Sequence, residues 1–174
     1  PSPGRHMLYA ASLAAAVGEE LGLSASEIER GVAAYEPAGS RMRVHRLGGD
    51  RRLLDDCYNA NPQSVGASLR VLAASEGKKV AVLGDMKELG ELTGRAHRDM
   101  GALCAALGID RVIAVGEYAK DIAAAAGDKA EWFTDVETAA DAAKREFTAG
   151  SVLLCKASHS MHFEKIVEEL LKTT

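Results

Sequence analysis

The chain has 174 residues, 47% of them hydrophobic and 26% charged, and glycine and proline together contribute 21. That balance excludes a disordered tail, a collagen-like repeat and a low-complexity segment, and it leaves ample apolar surface for a buried core. The net charge of −4 and a pI near 5.8 argue against a nucleic-acid partner. Charge interrupts every apolar run well short of the roughly 18 residues that a membrane span needs, so no span is expected. Alanine fills 31 positions and aromatics only 5%, which points to close-packed helices in the core. Cys57, Cys104 and Cys155 are an odd set without metal-type spacing, and Cys104 and Cys155 lie within apolar runs, as buried thiols do. The chain opens Pro-Ser-Pro-Gly-Arg-His, with no initiator Met, basic n-region or apolar h-region. The expectation is a cut start and a cytoplasmic, reducing location.

The first helix is predicted from about Met7 to Leu21, with Gly22 ending it. Ser24 followed by Glu27 forms a capping box for a second helix, whose Ile28, Val32 and Tyr35 share one stripe. Pro37 and Gly39 break the chain, which sets a domain boundary near residues 37 to 41. Short apolar runs at Met42–Leu47 and Arg52–Asp55, around Gly48-Gly49-Asp50, predict a hairpin. Arg41, Arg43, His45, Arg46, Arg51 and Arg52 make that hairpin basic, either as a solvated face or as an anion-facing one.

Beyond the hairpin, helices are predicted at Pro62–Ser75, Thr93–Leu107, Tyr118–Ala126, Val136–Phe147 and Met161–Leu171. They alternate with strands at Lys79–Leu83, Arg111–Val115, Glu131–Phe133 and Ser151–Cys155. Val80 to Leu83 and Val152 to Cys155 are apolar at every position, as parallel strands covered on both faces are. The fold class is therefore α/β, a Rossmann-like, doubly wound and mostly parallel sheet preceded by two helices.

In such sheets ligands gather at the carboxyl ends of the strands, and three polar clusters stand there. Asp55-Asp56-Cys57-Tyr58-Asn59-Ala60-Asn61-Pro62 can accept from a diol such as ribose, although Asn61-Pro62 is also a plain helix start. Gly84-Asp85-Met86-Lys87-Glu88-Leu89-Gly90 is either a ligand-positioning loop or one held by its own carboxylates. In Lys156-Ala157-Ser158-His159-Ser160-Met161-His162 the lysine can meet a phosphate or carboxylate, while Ser158 or Ser160 can cap the last helix. His159 and His162 lack an evident third ligand, so no metal site is assigned. There is no G-x-x-x-x-G-K-S/T loop and no G-x-G-x-x-G. On its own the chain is expected to fold but not to catalyse.

At these residues the chain resembles the Mur ligases of bacterial cell-wall synthesis. The match runs through Gly4-Arg5-His6, the helix from Leu21 towards Pro37, Ser40-Arg41-Met42, and Asp55 to Pro62. It continues through Val82 to Met86, Glu88-Leu89-Gly90, His97, and Lys156 to Met161 with Glu164, in the family's order. The family differs at some of these positions, usually having Asn at Met7 and Ala10, Gly at Ser40 and Ala157, Ser at Cys57 and Arg at His159. The resemblance implies that residues 1–40 are the last helices of a central ATPase domain and 41–174 a complete C-terminal domain. It implies an ATP-dependent ligase, with Mg²⁺ held mainly by the central domain, that joins D-alanyl-D-alanine to UDP-N-acetylmuramoyl-tripeptide through an acyl phosphate. Arg41 would reach the nucleotide phosphates and Asp56 the ribose, with His6, Tyr58, Asn59 and Asn61 also on the ATP side. Asp85, Lys156 and Ser158 would lie on the second-substrate side. A monomer with small-molecule partners is expected. The alternative is a receiver-like signalling domain with Asp85 as phospho-acceptor, since acidic residues and Lys156 all follow strands.

Overall fold

The computed structural model describes residues 3–4, 7–36 and 39–173. Arg5, His6 and Pro37, which entered the expectations above, lie outside the described residues.

Helices α1 (Met7–Glu20) and α2 (Ala25–Ala33) form an antiparallel pair. Gly22 closes α1 at a φ of 77°, and the Ser24 hydroxyl and the Glu27 carboxylate complete the capping box expected for α2. The pair packs through Gly18, where an added Cβ would come within 2.8 Å of Ile28. Little else in it is buried. Tyr35 lies beyond the end of α2, because the chain leaves the helix at Ala34, so the expected stripe is one residue short.

Next comes a hairpin of β1 (Arg43–Leu47) and β2 (Arg51–Asp55), then α3 (Pro62–Ala73) and β3 (Lys78–Gly84). The chain continues through α4 (Thr93–Ala106), β4 (Arg111–Val115), α5 (Ala119–Ala126) and β5 (Ala130–Phe133). It closes with α6 (Val136–Glu146), β6 (Ser151–Lys156) and α7 (Glu164–Leu171). The last helix starts three residues later than expected. His159–Met161 is a separate 3₁₀ turn, and His162 at a φ of 54° breaks the path before α7.

Among the described residues, six strands lie in the order β1-β2-β6-β3-β4-β5, and only the β1–β2 pair is antiparallel. Alternate strand residues feed two cores. Leu54, Ala81, Leu83, Val112 and Leu154 pack under α3, α4 and α5. Leu53, Val80, Val82, Ile113 and Leu153 pack under α6 and α7. The helices after β2, β3 and β4 thus cover one face, and those after β5 and β6 cover the other. The strand β6, which lies between β2 and β3, is where the connections diverge. Their carboxyl ends open a crevice there, the place such sheets offer a ligand.

Candidate functional site

Asp56 follows directly from β2, and both its oxygens face partners from other elements. Oδ1 accepts the backbone N–H of Met42 at 3.0 Å. Oδ2 accepts the Ser68 hydroxyl of α3 and the Lys156 Nζ of β6, each at 2.7 Å. Lys156 is 2% exposed and also donates to the carbonyl of Asn59 at 2.9 Å. A buried ammonium is stable only when its protons are taken up in this way. A carboxylate has about four acceptor positions, and three are filled, so one on Oδ1 remains. Further along the loop, Asn61 caps α3 by accepting from Ser64, and the Asn59 oxygen accepts from the N–H of Ala60. Among the described residues, the side-chain NH₂ groups of Asn59 and Asn61 have no protein partner.

Asp85 at the end of β3 is 1% exposed. Its Oδ1 accepts from the N–H groups of Tyr118 and Ala119, both at 2.9 Å, at the start of α5. Its Oδ2 pairs with Lys87 at 2.7 Å. Both oxygens are therefore engaged within the fold, and the carboxylate is closed to solvent. A phospho-acceptor needs the opposite, an oxygen free to attack, so the receiver-like alternative is dropped. Ser158 likewise does not cap α7. Its hydroxyl accepts the Lys87 N–H at 2.9 Å, and its own N–H donates to the Asp85 carbonyl at 3.1 Å. The loop from Asp85 to Gly90 is held from a third side by His97, whose fully buried Nε2 accepts the N–H of Met86 at 2.9 Å. The other ring nitrogen bonds the Thr93 carbonyl at 2.7 Å, which assigns the proton to Nδ1. Gly84 allows this close packing. A Cβ there would stand 2.6 Å from Ala157 and 2.7 Å from the Phe163 ring.

Arg41 lies just before β1, with its guanidinium carbon 3.7 Å from the centroid of the Tyr58 ring. The His159 ring is 5.9 Å from the same ring on another side of the cleft mouth. Two backbone contacts flank Arg41. The N–H of Tyr58 donates to the carbonyl of Ser40 at 3.0 Å, and the Met42 N–H reaches Asp56 as above. Met42 adopts a φ of 51° with its side chain buried in the core, an uncommon backbone state for a residue with a Cβ. Tyr58, Asn59, Asn61, Lys87, His159 and their neighbours line a cleft of about 570 Å³.

The described site residues thus fall into two groups. Tyr58, Asn59 and Asn61 line the cleft, and Arg41 adjoins it over the Tyr58 ring. Asp85 and Lys156 form the buried support, Ser158 joins it while also lining the cleft, and the partly buried Asp56 keeps one open acceptor. Ser68 stands in none of the sequence motifs, and Met42, Lys87 and His97 stand there as motif members with no role assigned. Cys57 donates to the Cys155 carbonyl at 3.5 Å, and the neighbouring Cys155 side chain together with burial holds its thiol far above the usual range. Burial pushes the Cys104 thiol up to about 12. Both are inert thiols, not nucleophiles. No group of three His, Cys, Asp or Glu side chains converges among the described residues.

The sequence pattern of the Mur ligase, glutamate ligase domain matches residues 40–159. This chain belongs to the Mur ligase family. A UDP-N-acetylmuramoyl-tripeptide–D-alanyl-D-alanine ligase of Escherichia coli is 36% identical over 98% of the chain, which covers 38% of that protein. Its Bacillus subtilis counterpart is 31% identical over 99% of the chain and 39% of the protein. Among solved structures, MurF from Acinetobacter baumannii superimposes with a TM-score of 0.89 at 30% identity, over 98% of this chain and 38% of that one. The chain therefore spans well under half the length of these relatives. The match begins at Ser40, the residue whose carbonyl is tied to Tyr58.

Proposed function

We propose that this chain is the C-terminal part of an ATP-dependent ligase that joins D-alanyl-D-alanine to UDP-N-acetylmuramoyl-tripeptide in peptidoglycan precursor synthesis. Such a reaction activates a carboxylate by phosphoryl transfer from ATP, and the dipeptide amine then displaces phosphate to form the amide. The observation that carries the reading is the rim of the crevice at the β2, β6 and β3 ends. There the Asn59 and Asn61 amides line the cleft, the Arg41 guanidinium adjoins it through the Tyr58 ring, and Asp56 stands at the base of the same loop with an acceptor position to spare. A nucleotide calls for this combination. Arg41 meets phosphate oxygens with a planar fork, the one open Oδ1 position of Asp56 accepts one ribose hydroxyl, and the Asn donors serve the remaining oxygens. His6 belongs to the same proposed set but lies outside the described residues.

The second-substrate roles of Asp85, Lys156 and Ser158 are indirect in this reading. They hold the loops at residues 56–61 and 85–90 that line the cleft, so the dipeptide side is shaped by them without being touched by their buried polar atoms. Mg²⁺ belongs in this reading mainly to the central ATPase domain.

The helical pair supports a longer protein. Leu8, Tyr9, Leu13, Val17, Leu21, Leu23, Val32 and Tyr35 are all well exposed on it. So much apolar surface on one small element marks a packing face. We assign residues 1–40 to a central ATPase domain and 41–174 to the domain that closes on it. No helix among the described residues is long and apolar enough to cross a membrane. A cytoplasmic monomer acting on small molecules fits the three buried free thiols.

The test uses the full-length ligase that carries this chain, with MgATP, UDP-N-acetylmuramoyl-tripeptide and D-alanyl-D-alanine, reading ADP release. Arg41→Ala should raise the KM for ATP by about tenfold or more, as loss of a charge-assisted hydrogen bond does. An unchanged KM and turnover in that variant would remove Arg41, and with it this reading of the cleft.

A further inference from the structure

We propose that Tyr58 is a positioning residue that acts through Arg41. The inference rests on the reading above, in which Arg41 meets the phosphates. An arginine side chain has four rotatable bonds, and an exposed one samples many rotamers, each of which would have to be given up on binding phosphate. Here that freedom is restricted before any ligand arrives. The guanidinium carbon lies 3.7 Å from the Tyr58 ring centroid, within stacking contact. The backbone on either side of Arg41 is fixed to the same loop, by Tyr58 N–H to the Ser40 carbonyl and by Met42 N–H to Asp56, each at 3.0 Å. The loop in turn is fixed to the sheet by Lys156, which bonds Asp56 and Asn59 from below.

Arg41 is thus part of the body of the Rossmann-like unit and moves with it. The stack leaves the edge of the guanidinium, where its N–H groups point, available to oxyanions, while its face is taken by the ring. The ring face under Arg41 cannot also stack on a base or sugar while the arginine is there, so that face has one use, holding the arginine.

A double-mutant cycle in the full-length ligase tests this, with kcat and KM measured for ATP and for D-alanyl-D-alanine in Arg41→Ala, Tyr58→Leu, Tyr58→Phe and the Arg41→Ala/Tyr58→Leu pair. Tyr58 is 46% exposed, so its replacement should leave the fold intact, and the thermal midpoint of each variant checks that. Tyr58→Leu should lower kcat/KM for ATP by about three- to tenfold, the range of a partly exposed cation–π contact. The KM for the dipeptide should stay unchanged. In the Arg41→Ala background the same substitution should have no further effect. Tyr58→Phe, which keeps the ring face, should recover most of the loss seen with leucine. Equal effects of Tyr58→Leu with and without Arg41 would overturn the proposal, as would a Phe variant as impaired as the Leu one. Those results leave the functional reading standing. That reading fails instead if Arg41→Ala itself has no effect on ATP kinetics.

Discussion

Lys156, from the central strand β6, reaches Asp56 at the end of β2 with Nζ 2.7 Å from Oδ2, and only 2% of the lysine side chain is exposed. The pair ties together three elements that are far apart in sequence. Asp56 also bonds Met42 ahead of β1 and Ser68 on α3, so one carboxylate gathers the hairpin entry, a covering helix and the strand where the sheet connections diverge.

Lys156→Met should be among the most damaging single changes in the domain. It removes the partner of a largely buried carboxylate, and breaking such a pair costs about 3–5 kcal/mol. Replacing both members, as Lys156→Met with Asp56→Leu, removes the buried charge altogether and should recover part of that loss. Urea unfolding of the two variants checks this. A double variant no more stable than Lys156→Met would show that the pair is not what makes the single change costly.

Asp85 offers a second separation of roles. Asp85→Ala strips two N–H groups at the start of α5 of their acceptor and should cost about 2–4 kcal/mol. Asp85→Asn keeps an oxygen for Tyr118 and Ala119 but turns a buried NH₂ towards the Lys87 ammonium, so it should cost less than alanine without being silent. In wild type, incubation with acetyl phosphate followed by intact-mass measurement should show no added phosphoryl group. A phosphorylated Asp85 would contradict the closed geometry of its carboxylate.

The strands were legible because burial on both faces leaves an unbroken apolar run, as in Val80 to Leu83, and the helix starts because capping is local, as at Ser24–Glu27 and Asn61–Pro62. Arg111–Val115 matches its predicted strand residue for residue. The supporting bonds of the site were not legible, since they join distant positions. Asp85 caps a helix that begins 34 residues later, and Lys156 meets Asp56 across 100. Each of those residues stood out as polar after a strand, but the pattern could not tell a group that faces a ligand from one consumed within the fold. The late start of α7 was hidden for a different reason. Met161 and His162 have helical neighbours on both sides, and only the left-handed turn at His162 separates them.

The thiols give a pH prediction with a definite sign. Burial raises the Cys104 pKa from an ordinary 9.0 to about 12, and Cys57 is shifted in the same direction. The native state therefore keeps protons that the unfolded chain gives up. The stability this contributes is full below about pH 9 and is lost as pH rises towards 12. While only the unfolded thiol is ionised, the loss is about 1.4 kcal/mol per pH unit for each such group. Thermal midpoints measured from pH 8 upward should fall less steeply in Cys104→Ala than in wild type, from a lower starting value because a small cavity is left. Parallel curves would mean that Cys104 does not keep its proton through that range in the folded protein.

Gly39 stands between the helical pair and the first strand of the sheet. The boundary was expected at residues 37 to 41, with Arg41 at its edge. The bonds from Ser40 and Met42 to the loop at residues 56–58 fix the chain from Ser40 onward to the sheet, so any rotation has to occur before Ser40. Pro37 lies outside the described residues, and Gly39 is the nearest described position with conformational freedom. Its φ is 59°, and an added Cβ would meet nothing within 4 Å. Proline, fixed near −65°, cannot adopt that state, so Gly39→Pro must redirect the chain without any clash of side chains. In the full-length ligase this should depress turnover, because Arg41 would be carried to the wrong place when the domains close. The thermal stability of the sheet domain should be nearly unchanged, since its bonds begin at Ser40. Gly39→Ala, which can reach a positive φ at a cost of about 1–2 kcal/mol, should fall between the two. Wild-type turnover in Gly39→Pro would move the pivot elsewhere, and a large loss of domain stability would show that Gly39 belongs to the sheet domain and is not a joint.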